Sequence, residues 1–327
     1  MAHLINADAA LQARIFEATY PIWNEGLTPD GYARWNTVQL RTPWGVNHLR
    51  RVALVDGDDL LACAKWYDLD VTLDGKSLRV LGIGAVFTPA HHRGQGHAAD
   101  LMFQMMAEAT TNGYHAAVLF SEIGAEYYEQ MGFVAIPRET STIEVIQKKG
   151  APATLVRAGN DTDLKHLADL HETSDAFARL WLRRSPELVQ FSVQKRRTLS
   201  ALAPLGSRTT EFYVSEEGNH AVAYVLVTRG PSGNLADGPE TMWLQACGDR
   251  DPTGARVGAI LQVLLARTPA ETPPALLGWL PAGWAPPQVR IASRAPADNI
   301  LMIRPLGDTS LPTLHGSEVT WWHADAF

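Results

Sequence analysis

Arg93-Gly94-Gln95-Gly96-His97-Ala98 is the stretch whose reading decides the fold. A strand-like run, Leu78 to Phe87 (LRVLGIGAVF), precedes it. A helical pattern follows, with Ala98, Leu101, Met102, Met105, Met106 and Ala109 on one face. A glycine-rich turn entering a helix presents unpaired backbone N–H groups at the positive end of the helix dipole, a ready site for phosphate or pyrophosphate. Small residues at 94, 96 and 98 let a ligand approach the backbone, and Arg93 can add a charged hydrogen bond. No Gly-Lys-Ser/Thr follows, so this is not a Walker loop, and it is not the three-glycine dinucleotide fingerprint. The competing reading is a tight strand-to-helix turn that binds nothing. The three methionines are most simply helix core.

Outward from this turn, the pattern is mixed α/β. Leu11, Ile15, Ala18 and Ile22 predict a first helix, with Asp8 near its start, and Thr28 or Asp30 can cap a second. Residues 51–56, 59–66 and 78–87 read as strands, with turns at Asp56-Gly57-Asp58 and Asp74-Gly75-Lys76. Beyond the loop come a strand at 115–121, a short helix at 123–131 and a strand at 133–136. Residues 147–152 (QKKGAP) read as a linker. After it the order partly recurs: a strand at 154–157, helices at 161–175 and 186–200, a hairpin at 211–228, a strand at 241–247 and a helix at 254–267. The expected architecture is therefore two α/β domains, 1–146 and 153–327, consistent with a length of 327 residues at roughly 150 per domain.

Composition narrows the function. With 46% hydrophobic and 19% charged residues the chain can build cores, and global disorder is excluded. Its net charge of −7 disfavours a grip on phosphate backbones and suits cationic ligands, so no nucleic-acid partner is expected. Arg183-Arg184 and Lys195-Arg196-Arg197 read as a solvated helix face. Two cysteines, Cys63 and Cys247, form no disulfide framework and point to a reducing compartment. The first twenty residues lack a signal-peptide pattern, and no run approaches the ~20 apolar residues of a membrane span. A cytoplasmic location without membrane attachment is expected; oligomeric state is not legible. His91, His92 and His97 accompany no carboxylate or cysteine cluster in sequence, so no metal is expected.

The pattern Arg-x-x-Gly-x-Ala after a strand resembles the acetyl-CoA pyrophosphate loop of the GNAT superfamily of N-acetyltransferases. Tyr127-Tyr128-Glu129-Gln130-Met131-Gly132-Phe133 resembles that superfamily's later Tyr-x-x-x-Gly-Phe motif. Both motifs fall in order on the expected elements, and in element order the resemblance spans 1–146. Leu119-Phe120-Ser121-Glu122-Ile123-Gly124 and the early Trp23-Asn24-Glu25-Gly26-Leu27-Thr28, with Tyr32 and Arg34, resemble fungal lysine N6-acetyltransferases and, more distantly, the enhanced-intracellular-survival acetyltransferases. Both groups carry a second GNAT-like domain. The segment Ala297 to Arg304 and Trp321-Trp322 are the best of the second-domain match.

The resemblance implies roles. Ala85, Val86 and Phe87 would pair with the pantetheine arm as an added strand, and Gly82 and Gly84 leave room there for a ligand or another chain. Arg93, Gly94, Gln95, Gly96, His97 and Ala98 would hold the pyrophosphate. Tyr128 would protonate the departing thiolate, its neighbour Tyr127 being the obvious misassignment. Trp23, Glu25, Tyr32, Ser121 and Glu122 would face the acceptor. Ser121 lacks the Gly-x-Ser-x-Gly elbow of a serine nucleophile. The implied reaction is acetyl transfer to a primary amine such as lysine, by direct attack in a ternary complex. An aminoglycoside or polyamine acceptor is next, and a non-catalytic coenzyme A-binding scaffold is the alternative. The turn Gly248 to Gly254 lacks the loop spacing and carries aspartates that repel pyrophosphate, so the second domain reads as a degenerate copy shaping the acceptor site. In the distantly similar survival acetyltransferases the terminal carboxylate reaches the active site. By analogy Phe327 is a catalytic candidate; the alternative is an aromatic plug between the domains.

Overall fold

The computed structural model describes residues 2–146, 154–175, 177–231, 240–267, 275–281 and 283–327. The expected linker at 147–152 lies outside them. In chain order the first elements are β1 (His3–Asn6), α1 (Ala9–Trp23), α2 (Pro29–Arg41), α3 (Pro43–His48), β2 (Leu49–Asp56), β3 (Asp59–Leu73) and β4 (Lys76–Phe87). Then come α4 (His97–Thr111), β5 (Ala116–Ser121), α5 (Glu126–Glu129), β6 (Val134–Ile136), β7 (Glu139–Val145), β8 (Leu155–Ala158), α6 (Leu164–Asp175), β9 (Leu180–Leu182) and α7 (Pro186–Leu202). The last are β10 (Thr209–Glu217), β11 (His220–Pro231), β12 (Glu240–Asp249), α8 (Ala255–Ala266), β13 (Ala275–Gly278), β14 (Val289–Pro296), β15 (Ile300–Pro305) and β16 (Val319–Thr320).

The chain forms two compact units. The first contains Met1–Arg138, Asp298–Glu318 and Phe327; the second contains Glu139–Ala297 and Val319–Ala326. The sequence reading drew one contiguous boundary, whereas the units are interleaved. β15 enters the first unit's sheet, between β5 and β6, so the segment Ala297 to Arg304, read above with the second domain, contributes its strand to the first. β7, directly after β6 in the chain, pairs instead with β13 and β14.

In the first unit the strand order is β1-β2-β3-β4-β5-β15-β6. Along this order each pairing is antiparallel except β4 with β5. Asp74 and Gly75 both take positive φ, 48° and 77°, which matches the two-residue turn that twisted hairpins favour. Helix starts follow the sequence signals: the Asp8 side chain accepts from Leu11 N at 2.8 Å, and Thr28, not Asp30, caps α2. The apolar face of α4 buries Leu101, Met102, Met105, Met106 and Ala109 against Val52, Leu54, Ala64, Trp66, Leu81 and Ile83. Each fully buried large side chain contributes about 1.5–3 kcal/mol of transfer free energy, so α4 is firmly seated and its N-terminus is fixed in place.

In the second unit the order is β8-β10-β11-β12-β13-β7-β14, with β12 and β13 parallel. An antiparallel meander, a helix and a parallel strand thus occur in both units: β2-β3-β4, α4, β5 and β10-β11-β12, α8, β13. Its core gathers Val225, Leu244, Ala246, Val257, Ile260 and Leu261 around the sheet.

Candidate active site

Gly94 and Gly96 stand at φ 77° and 84°, the left-handed region where a side chain costs about 1–2 kcal/mol. Gly96 is the N-cap of α4 and supplies no side-chain cap. A Cβ at either glycine would meet nothing within 4 Å, so the space over the turn is open. Arg93 is exposed, its Nε donating to Thr88 O at 3.3 Å, and Gln95 Nε2 donates to His91 O at 3.2 Å. His97 opens the helix and Ala98 follows, both half-buried. The result is an uncapped, backbone-lined helix start with a cation beside it, which is what a pyrophosphate requires.

The strand ahead of the loop parts from β5 before it ends. β4 pairs with β5 only from Val80 to Ile83. On its other side the register slips, with Cys63 opposite Phe87 but Lys65 opposite Gly84. One extra residue is therefore held in β4, and Ala85 absorbs it at φ 48°. Beyond Ile83 the β5-facing edge of 84–87 has no strand partner among the described residues. Ala85 and Val86 are half-buried there and Phe87 is buried, so an extended ligand can use this edge as a strand would. Trp23, at the end of α1, packs edge-on against Phe87 at 6.3 Å, and Glu25 just after it also holds positive φ, 55°.

Gly82 and Gly84 do leave room for another stretch of chain, and Phe327 fills it. A Cβ on Gly82 would lie 2.6 Å from Phe327 Cζ, and one on Gly84 would lie 2.9 Å from the Phe327 main-chain carbonyl carbon. The Phe327 ring stacks on Tyr67 at 4.5 Å and meets Phe120 edge-on at 5.4 Å. Neither Tyr67 nor Phe120 was singled out for this role in the sequence, because nothing local marks a strand residue that receives a tail. Within the second unit the preceding residues are pinned. Arg184 pairs with Asp325, Ser192 Oγ donates to Asp325 Oδ1 at 2.8 Å, and Lys195 Nζ donates to Ala326 O at 3.0 Å. The strand expected at Trp321-Trp322 is instead Val319–Thr320, paired with β9, and both tryptophans are buried.

Tyr128 lies in α5 and is buried, whereas Tyr127 is exposed. Burial pushes the Tyr128 hydroxyl up to about 12, with Tyr127 and the Glu122 carboxylate adding smaller upward shifts. It is therefore protonated at neutral pH and has a proton to give.

Residues 19–136 match the family model described as an acetyltransferase (GNAT) domain. This segment is a GNAT acetyltransferase domain. No curated protein matches the chain significantly by sequence. Among solved structures, a probable N-acyltransferase of unknown function from Enterococcus faecalis is similar over 94% of this chain and 73% of its own, at 13% identity and a TM-score of 0.67. A GCN5-related N-acetyltransferase from Anabaena variabilis is similar over 93% and 72%, at 13% identity and 0.67. Eis1 from Mycobacterium abscessus is similar over 93% and 74%, at 14% identity and 0.57. At such identities the likeness is one of fold, and it extends past the GNAT domain into the second unit.

The remaining acceptor-side candidates separate. Ser121 is buried, and its hydroxyl donates to Gly124 O and accepts from Ile123 N, closing the turn after β5. Tyr32 is buried between α1 and α2, its hydroxyl 3.0 Å from Thr19 Oγ1. Glu122 is exposed, while Trp23, against Phe87 at the end of β4, and Glu25 are half-buried.

The GNAT-like second unit repeats the strand–turn–helix but fills it. Asp249 Oδ2 accepts from Arg256 N at 2.9 Å and Val257 N at 3.2 Å, so a carboxylate of the chain itself occupies the start of α8. Burial raises the Asp249 carboxyl, while those backbone N–H groups and Arg256 pull the other way. A Cβ on Gly254 would lie 2.3 Å from the Trp284 ring, so the space is closed as well. The sequence anticipated the wrong charge for a pyrophosphate; the structure adds that Asp249 stands in for one.

No helix among the described residues is long and apolar enough to cross a membrane.

Proposed function

We propose that this chain transfers the acetyl group of acetyl-CoA to the primary amine of a small cationic acceptor, lysine first, by direct attack in a ternary complex. The observation that carries the reading is the main-chain carbon and oxygen of Phe327 over Gly84, next to the Ala85 bulge and the unpaired edge of β4. A carboxylate there can hold a substrate ammonium and take its proton. The second is what the chemistry needs, because an amine with pKa about 10.4 is not nucleophilic until deprotonated.

The coenzyme fits what the chain offers. Arg93 to Ala98 would bind its pyrophosphate through the open, uncapped start of α4, and residues 85–87 would hydrogen-bond its pantetheine arm. The coenzyme supplies an activated acetyl thioester. The chain's residues orient it, present the amine, and return a proton from the Tyr128 hydroxyl to the departing sulfur. Trp23 and Glu25 flank the acceptor, with Glu122, Ser121 and Tyr32 on the loops and helices behind. The second unit, its own helix start filled by Asp249, serves the acceptor side and binds no coenzyme. The acidic balance of the chain suits a cationic substrate, and its free, buried cysteines suit the cytoplasm.

Incubation of the purified chain with acetyl-CoA and a panel of lysine, a polyamine and an aminoglycoside, following free thiol, tests the proposal. Amine-dependent thiol release, fastest with lysine, supports it. Coenzyme A binding without amine-dependent release counts against it and favours a binding scaffold.

A further inference from the structure

We propose that Asp59, His91 and His92 form a site for a divalent transition-metal ion of the zinc class, immediately before the 93–98 loop. One ligand atom from each of the three lies within 4.8 Å of the others. His91 and His92 share the single 3-10 turn Ala90–His92, their ring centroids 4.1 Å apart. Asp59 is the first residue of β3, placed there by the tight Asp56-Gly57-Asp58 turn. The carboxylate absent from the histidines' own stretch of sequence is thus delivered from another strand, which is why local spacing argued against a metal.

The contact between His92 and Asp59 is unlike an ordinary hydrogen bond. His92 Nε2 is 2.9 Å from Asp59 Oδ2, yet Nε2 has no hydrogen-bond partner among the described residues, because its direction misses that oxygen. Two ligand atoms this close with no hydrogen bond between them leave a lone pair on each that a shared cation could take. Tetrahedral zinc, with bonds of roughly 2.0–2.1 Å to histidine nitrogen and carboxylate oxygen, sets its ligands about 3.3 Å apart. Side-chain rotations that close the widest pair from at most 4.8 Å would complete the site. Two imidazoles and one carboxylate favour zinc, cobalt, nickel or copper over magnesium and calcium. Asp59 and His91 are exposed, leaving further coordination positions to water. A bound ion would tie the start of β3 to the turn that leads into Arg93.

The test uses the full, tag-free chain, stripped with a chelator and titrated with zinc sulfate by calorimetry, with cobalt absorbance as a second probe. We expect one zinc per chain and a zinc-dependent rise in Tm. Affinity should fall by at least about tenfold in His92→Ala and in Asp59→Asn, the loss typical even of outer-shell changes at metal sites. The exposed His315→Ala variant should bind as the wild type does. His91→Ala, on an exposed ring, provides an independent ligand variant should another fail to fold by circular dichroism. Absence of saturable zinc binding to the wild-type chain overturns the proposal, leaving an ion pair only. Binding undiminished in the folded ligand variants overturns it equally. Neither result depends on acetyl transfer.

Discussion

Gly84→Ala should slow turnover without disturbing coenzyme binding. The added methyl would sit 2.9 Å from the Phe327 carboxyl carbon, 3.1 Å from its Cδ2 and 3.2 Å from its backbone oxygen. Carbon pairs settle at about 3.5–4.0 Å, so the terminal residue must retreat by roughly 0.6–1 Å. Misplacing a reacting group by about 1 Å can cost ~10²-fold, and a loss of about 10- to 100-fold in kcat is expected. The fold should tolerate the change, since alanine in a strand is favoured over glycine by about 0.5–1 kcal/mol, offsetting part of the crowding. The methyl points at the tail and not along the β5-facing edge, so the Kd for acetyl-CoA should hold. The assay is amine-dependent thiol release paired with calorimetric titration of coenzyme A. Because both changes act through one group, Gly84→Ala combined with deletion of Phe327 should be no slower than the deletion alone. Wild-type turnover in Gly84→Ala, or full multiplication of the two losses, would refute a working role for the terminal carboxylate.

Three further outcomes follow from the same geometry. Coenzyme A should bind once per chain, and Gly96→Val should abolish it by forcing a β-branched residue to φ 84°; two equivalent sites by calorimetry would contradict the blocked start of α8. Tyr128→Phe should lower kcat by about 10²–10⁴-fold with little change in coenzyme affinity, Tyr127→Phe far less, and equal effects would mean the role is misassigned. With Tyr128 pushed up to about 12, the alkaline limb of kcat should show no break near the ordinary tyrosine value. In the second unit His171 is buried beside Asp175, Arg184 and Tyr224, and burial and the Arg184 guanidinium lower it to about 4. Its contribution to stability is present above the unfolded value of 6.5 and is lost as pH falls towards 4, a difference on the order of a few kcal/mol. His171→Gln should flatten that limb of a Tm-versus-pH curve; an unchanged slope would sink the assignment.

What the sequence made legible was local. The loop at 93–98, the hairpins at 56–58 and 74–75, the capped helices and the amphipathic face of α4 each announce themselves within a dozen residues, through φ requirements and periodicity. The adjacency of β15 to β5 and of β7 to β13 does not, because a strand's partner is set by tertiary packing and no periodicity encodes it. The same holds for the site. Gly82 and Gly84 signalled close approach, but Tyr67 and Phe120, which receive the Phe327 ring, look like ordinary strand residues. Ser121 and Tyr32 carried the right chemistry by resemblance, yet the hydroxyl of Ser121 closes a turn and that of Tyr32 meets Thr19 in the core. Asp59 lies over thirty positions from the histidines it meets, beyond the reach of any spacing rule.

The most direct measurement is transfer of labelled acetyl from acetyl-CoA to lysine by the wild-type chain and by one extended past Phe327 with a short polar tag. The account predicts label on the amine, matched by thiol release, for the wild type. For the extended chain it predicts a collapse of transfer while folding and coenzyme A binding persist. Equal transfer by the two chains, or coenzyme A bound with no amine in the panel acetylated, would contradict it.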